Sequence, residues 1–383
     1  MQRGRMKTAP SDSSVQRMLA LTRAALHGTA PDANLFVDAG GAEWTEIFEL
    51  SVTQGVMVLS LNGAILLPKE LHPPVELKLR WIAGADAVAK GYLHRLETAK
   101  DLTARFRENN LRMMVFKGIA LSQLYPEPES REFGDIDIFL CGKAEEGDAL
   151  LEYICDKKYG GSKKNINYSY RGVLIENHHT FIYHAYHKCF YRSRDLENTL
   201  LTTLKEAGIT GNENIVAPTP ANETVLFPPP EFNALHVILH ALSHLPSGIV
   251  LRHLCDLVVI FKDSKGKIDF SLHRNLLTDA KLIKVIDALI SLSVRHLGLN
   301  RDDAPFYESD TSLEDRLWND ILNPKVTVLP VEKRTFFNVL INNIQSIKFN
   351  YWKYLLLFQG KFLKMVIHYT IFRLLTLKTT VKK

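Results

Sequence analysis

The chain has 383 residues, enough for two folded units and too many for a disulfide-stapled miniprotein or a single small binding module. With 46% hydrophobic and 23% charged residues, 21 Gly and 16 Pro, its composition excludes disorder, collagen-like repeats and low-complexity arrays. The formal net charge of +5 hides an asymmetry: residues 1–332 carry 37 basic against 42 acidic groups, and ten Lys or Arg but no acid follow Glu332. Cys141, Cys155, Cys189 and Cys255 lie far apart and form no CxxC pair, which argues against a zinc ribbon or disulfide framework and for a reducing, cytoplasmic setting. The basic N-terminus leads into no apolar core of signal-peptide length, and no stretch approaches the roughly 20 apolar residues of a membrane span.

Residues 14–108 read mainly as helix. From Pro74 to Asn110, Leu79, Ile82, Ala85, Ala89, Leu93 and Leu96 recur at steps of three and four with charged residues between them, which predicts one long amphipathic helix. LRMMVF, from Leu111, is a short apolar run suited to a buried strand; it breaks at Lys117-Gly118 before IALSQLYP, a short helix stopped by Pro126. After the polar loop EPESREFG comes DIDIFL, whose acidic and apolar residues alternate as in a strand, then a helix near Glu145 to Lys157. RGVLIENHHTFIYHAY supplies one or two more strands. A linker around AGITGNENIVAPTPANET precedes helical segments near 231–245, 248–263, 275–297, 312–321 and 333–378. The expected fold is α+β, a small mixed sheet of about four to six strands flanked by helical regions. The expected division is an N-terminal helical region 1–110, an α/β core 111–215 and a C-terminal helical region 216–383 with a basic amphipathic tail.

Residues two apart in a strand share a face, so Asp135 and Asp137 place both carboxylates on one side while Ile136 and Ile138 enter the opposite, apolar side. Neighbouring carboxylates repel, and a divalent cation is the usual remedy; a solvated acidic face is the plain alternative. The surroundings favour the cation. Lys117-Gly118 sits where a strand ends and a helix begins, a place that offers backbone N–H groups and a positive dipole end to phosphate. Arg131, four residues before Asp135, can bring a guanidinium to a nucleotide phosphate. Glu176 ends the apolar run VLI, so a neighbouring strand can add a third carboxylate.

The stretch FKGIALSQLYPEPESREFGDIDIFL, followed by LIENHH, resembles the uncharacterised nucleotidyltransferase family of the polymerase-β-like nucleotidyltransferase superfamily. In that family a KG turn, a YP-ended helix, an Arg and a DIDhhh strand precede a strand with E-x-H. Residues 111–180 carry the specific part, and HVILHALSHLPSGIVLRHLCDLVVIF resembles the helical segment placed after the sheet. The resemblance implies that Gly118 occupies the superfamily's glycine turn, with Lys117 and Ile119 replacing its Gly-Ser pair. It implies that Asp135 and Asp137 are metal-binding aspartates, that Glu176 is the third acid holding a second metal or helping to activate the acceptor, and that His178 positions substrate. The activity implied is Mg²⁺-dependent nucleotidyl transfer. An acceptor hydroxyl attacks the α-phosphate of a nucleoside triphosphate in line and pyrophosphate leaves, with two Mg²⁺ ions about 3.5–4 Å apart stabilising both oxygens. Lys117 and Arg131 would supply positioning and charge compensation. A small-molecule or carbohydrate-type acceptor is expected. The rival is a catalytically inactive scaffold on the same fold, peripheral to a membrane-bound biosynthetic complex; the intact trio of Asp135, Asp137 and Glu176 favours the enzyme.

His236, His240 and His244 recur every fourth residue on one helical face, with Asp256 on the next segment. A zinc site or a substrate-pocket wall competes here with the plainer reading of hydrogen-bonded core or groove residues, since no matched acid accompanies them. Arg252 and Asp256, four apart, suit a helix pair worth a few tenths of a kcal/mol. Because the resemblance extends over this H, LR and D pattern, acceptor positioning by His240, His244, Arg252 and Asp256 is also expected. Of His178, His179, His184 and His187, only His178 has a motif behind it. The tail YWKYLLLFQGKFLKMVIHYTIFRLL mixes apolar residues with Lys and Arg, which suits either an interfacial helix on an anionic membrane or a terminal helix packed on the core. Its dense apolar positions favour packing. No arginine-rich stripe or familiar module points to nucleic acid.

Overall fold

Three helices open the structure, a computed structural model that describes residues 10–161, 164–182, 192–210, 225–305, 307, 310–324 and 336–358: α1 (Asp12–His27), α2 (Gly41–Gln54) and α3 (Met57–Ile65). The Ser11 side chain accepts the Ser14 N–H at the start of α1, and Gly28 in the left-handed conformation ends it. α3 crosses α1 so closely that a Cβ on Gly63 would lie 2.1 Å from the Leu21 carbonyl oxygen. α4 (Val75–Glu108) is the long helix that the periodicity predicts, but its buried seam is a different one. Leu79, Ile82 and Leu93 are 62%, 41% and 58% exposed, whereas Trp81, Tyr92, Ala99, Leu102 and Phe106 are buried. Aromatic rings bury the most area per residue and set the rotation of the helix; the Trp81 indole also donates to the Met57 carbonyl at 2.9 Å.

The strands β1 (Met114–Phe116), β2 (Asp135–Phe139), β3 (Lys157–Gly161), β4 (Asn165–Tyr170) and β5 (Val173–His178) form one sheet in the order β1-β2-β5-β4-β3. Only β2 and β5 run parallel. The short helix α5 (Gly118–Ser122) follows β1, and α6 (Ala144–Ile154) follows β2. β3 and β4 have no counterpart in the expected elements: KKYGG and NINYSY are polar, and β3 is a largely exposed edge strand with little to bury. α7 (Ser193–Glu206) was likewise not foreseen, although Leu196, Leu200 and Leu204 form a buried stripe at steps of four. Then come α8 (Pro230–His244), α9 (Leu251–Ser264), α10 (Ser271–Asp279), α11 (Ile283–Leu297), α12 (Thr311–Leu322) and α13 (Phe336–Phe358). The one helix expected over 275–297 is two, parted at Lys281, whose φ is 58°.

Strand alternation sorts two cores onto the two faces of the sheet. Val115, Ile136, Ile138, Tyr168 and Ile175 pack with the end of α4 and with Leu151 of α6. Met114, Phe116 and Phe139 face the larger core, which holds side chains of α1 to α3 together with those of α7 to α9, α11 and α13. That core runs across residues 110 and 215, so the helices before and after the sheet share one interior. Cys141, Cys155 and Cys255 are free thiols. α13 packs on the body: Lys353 is fully buried 2.5 Å from Asp320 Oδ2, and Arg316 lies 4.1 Å from the Trp352 ring centroid. The rest of the basic tail lies outside the described residues, among which no helix is long and apolar enough to cross a membrane.

Gly63→Ala forces a methyl group into the Leu21 backbone. It is expected to cost about 2–3 kcal/mol, read as a lowered urea midpoint at unchanged slope.

Candidate active site

The acidic centre is a product of register. β2 and β5 pair in parallel with Asp137 opposite Glu176 and Phe139 opposite His178. Alternation turns Asp135, Asp137, Glu176 and His178 to the face covered by Phe232 and His236 of α8, while Ile136, Ile138 and Ile175 enter the other core. Asp137 is 2% exposed. His178 Nε2 lies 2.8 Å from Asp137 Oδ1 and 3.4 Å from Glu176 Oε2, and the Asn165 amide donates to Glu176 Oε2 at 2.9 Å. Ligand atoms of Asp137, Glu176 and His178 all lie within 4.8 Å of one another.

The turn after β1 brings in positive charge. Lys117 has φ 52° and ψ −114°, a sparsely populated backbone for a residue with a side chain, and its buried ammonium donates to Asp137 Oδ1. Gly118 is needed for space: a Cβ there would lie 2.6 Å from the Phe133 ring. Burial alone would lower the Lys117 ammonium, but Asp137, Glu176 and Asp135 outweigh it and hold it above its ordinary value. Burial also opposes ionisation of Asp137; Lys117 and His178 win, and its carboxyl is held well below the usual range. Asp135 goes the other way, since burial and then the charges of Asp137 and Glu176 push it from 3.8 to about 6. Lys164, which the sequence reading passed over in the polar run SKKN, belongs to the same centre: burial and then Lys117 bring it down to about 8, against the pull of Asp137 and Glu176.

Arg131 is placed otherwise than a phosphate contact requires. It is 2% exposed, and its Nε and Nη2 donate to Asp256 Oδ1 and Oδ2 at 2.7 and 2.9 Å; Nη1 is 3.4 Å from the Gly118 carbonyl. The guanidinium is engaged in a buried pair, whereas the sequence places it on a nucleotide phosphate. Asp256, also 2% exposed, accepts the Tyr125 hydroxyl at 2.7 Å as well, so this acid holds both Arg131 and Tyr125. Arg252 lies against Gly55 at the end of α2. Arg95 of α4 interacts electrostatically with Asp135, as Arg131 also does, and lies 4.7 Å from the Phe133 ring centroid. It is one of many charges on a long helix, and nothing local marks it.

His236 is buried against Phe232, with ring centroids 5.4 Å apart and planes 7° from parallel, and meets Phe116 edge-on at 5.1 Å. His240 and His244 lie further along α8, next to His253 of α9. His179 pairs with Asp148 at 2.7 Å, and His184 and His187 lie outside the described residues. A cavity of 570 Å³ lined by Asp12, Arg23, His296 and Trp318 shares no residue with the acidic centre, so hollow volume alone does not locate the chemistry.

Two expectations follow from these charges. Asp256→Ala leaves Arg131 buried without its carboxylate and is expected to cost about 3–5 kcal/mol in urea unfolding; a cost below about 1 kcal/mol would show the pair to be dispensable. Because the Asp135 carboxyl is raised in the folded protein, ionising it penalises folding as pH rises from about 4 through about 6. In chelator, Asp135→Asn should therefore be more stable than wild type by up to about 3 kcal/mol at pH 8, and the difference should vanish near pH 4.

A family model described as uncharacterised nucleotidyltransferase matches residues 40–298, about two thirds of the chain. The match runs from the start of α2 to the end of α11 and takes in the acidic centre, the Lys117-Gly118 turn and the Arg131–Asp256 pair. Searches of curated proteins and of solved structures found no match. The family supports nucleotidyl transfer as the general reaction class. With an α+β fold of this kind and the motif residues gathered at one face of its sheet, the chain belongs to the uncharacterised nucleotidyltransferase family.

Proposed function

We propose that the protein is a Mg²⁺-dependent nucleotidyltransferase that moves a nucleoside monophosphate from a nucleoside triphosphate to a hydroxyl of a small-molecule or carbohydrate-type acceptor, releasing pyrophosphate. The observation that carries this reading is the convergence of Asp135, Asp137 and Glu176 on one sheet face beside the Lys117-Gly118 turn, all three acids being present. The donor set fits a hard divalent cation. Carboxylate oxygens dominate it, and the Asp135 carboxyl is raised by burial and then by the charges of Asp137 and Glu176, both of which such a cation offsets. Asp135, Asp137 and Glu176 would hold Mg²⁺, which when bound compensates the charge of the phosphoryl and leaving oxygens.

The rest falls to the chain's own residues. The bond from the acceptor oxygen to the α-phosphorus forms as the bond from that phosphorus to pyrophosphate breaks, and the hydroxyl proton passes to Glu176, the more accessible of the two acids beside His178. Lys117 carries fixed positive charge into the centre, anchored on Asp137, and His178 orients Asp137 and Glu176 from below. Arg95 takes the phosphate-contacting role that the sequence suggested for Arg131.

Calorimetric titration of each nucleoside triphosphate in Mg²⁺ tests the reading. One triphosphate is expected to bind wild type and to lose on the order of 100-fold in affinity in an Asp135→Asn/Asp137→Asn variant; Arg95→Gln should weaken it about tenfold, the value of one charge-assisted contact. A folded wild type that binds none of the triphosphates would move the assignment to the inactive scaffold.

A further inference from the structure

Three histidines outside the acidic centre converge at the hairpin between α8 and α9. His240 and His244 stand one turn apart on α8, the chain reverses through Leu245–Ser247 and Gly248, and His253 comes back as the third residue of α9. Ring nitrogens of the three lie within 4.8 Å of one another. The ring centroids are 4.5 Å (His240–His244), 5.0 Å (His244–His253) and 6.0 Å (His240–His253) apart. Imidazoles on one tetrahedral Zn²⁺, at about 2.0–2.1 Å per bond, have centroids about 5 Å apart, so the rings stand close to a liganding arrangement before any ion draws them in.

Three further observations point the same way. His253 is oriented from behind: its Nδ1 accepts the Val250 N–H at 3.1 Å and lies 3.2 Å from the Val250 carbonyl oxygen. The cluster has an entrance, since His240 and His244 are only partly buried while His253 is enclosed. Among the described residues it also contains neither carboxylate nor thiolate.

We infer that His240, His244 and His253 form a transition-metal site, of Zn²⁺ type, separate from the acidic centre, with three protein ligands and one coordination position open. An all-nitrogen donor set selects Zn²⁺ and its neighbours over Mg²⁺, which demands oxygen. The regular sequence spacing of His236, His240 and His244 names two of the ligands but not the third: His236 is held by Phe116 and Phe232, and His253 takes the remaining place.

The test uses the full chain, stripped with chelator and titrated with Zn²⁺, and separately with Co²⁺, in excess Mg²⁺. One equivalent is expected to bind, Co²⁺ showing the visible absorption of a tetrahedral site. His240→Ala and His244→Ala, with folding checked by circular dichroism, should each weaken binding on the order of 100-fold, while Glu176→Gln should leave it unchanged. Partly exposed His244 is the substitution least disruptive to the core, so its result decides the matter if His240→Ala fails to fold. A folded wild type that takes up neither ion would overturn the inference. So would uptake that survives both histidine substitutions, or uptake lost in Glu176→Gln, which would assign the ion to the acidic centre.

Discussion

The buried pair of Arg131 and Asp256 holds the sheet to the helices that follow it. Both side chains are 2% exposed, and each is tolerable inside only because the other is there. The pair joins the loop that leads into β2 to the first turns of α9, and it collects the Tyr125 hydroxyl and the Gly118 carbonyl on the way. Arg131 stands four residues before Asp135, so the direction in which β2 enters the sheet, and with it the aim of both aspartates, is set by a carboxylate on a C-terminal helix. The acidic centre and the helices of α8 and α9 are one mechanical unit.

Within that unit, two aspartates on one strand face are given opposite characters. Asp137 is flanked by Lys117 and His178 and stays ionised despite complete burial; Asp135, raised by burial and then by the other two acids, gives up its proton reluctantly. Neither difference is visible in the local sequence, because DID is symmetrical. It arises from the antiparallel β1 on one side, which is followed by Lys117, and the parallel β5 on the other, which brings Glu176 and His178. The lysine's unfavourable backbone conformation is the cost of delivering that charge at that point.

Much of this was legible in the chain because it is periodic. Alternation placed Asp135, Asp137 and Ile136 on their correct faces, and the apolar run before Glu176 identified β5. The strands β3 and β4 were not legible, because edge strands need no hydrophobic period. The rotation of α4 was misread because Trp81, Tyr92 and Phe106 outweigh a tidier row of leucines and isoleucines. Arg131 and Arg95 could not be told apart from sequence: the carboxylate that takes up the Arg131 guanidinium is Asp256, 125 positions away. The same holds for His253, whose relation to His240 and His244 passes through a reversal that no helical spacing encodes.

The separations in sequence also carry a consequence for how the molecule is made. The bond between Asp137 and His178 closes a loop of 41 positions across a parallel strand pair, and that between Arg131 and Asp256 closes one of 125. Both are long-range contacts whose chain entropy must be paid before they return anything. A chain emerging from the ribosome therefore carries β1, β2 and β5 for some time without the carboxylate that fixes the entry of β2. The acidic face thus acquires the carboxylate that fixes the entry of β2 only once α9 has been made, and a chain truncated before α9 retains the acids without it.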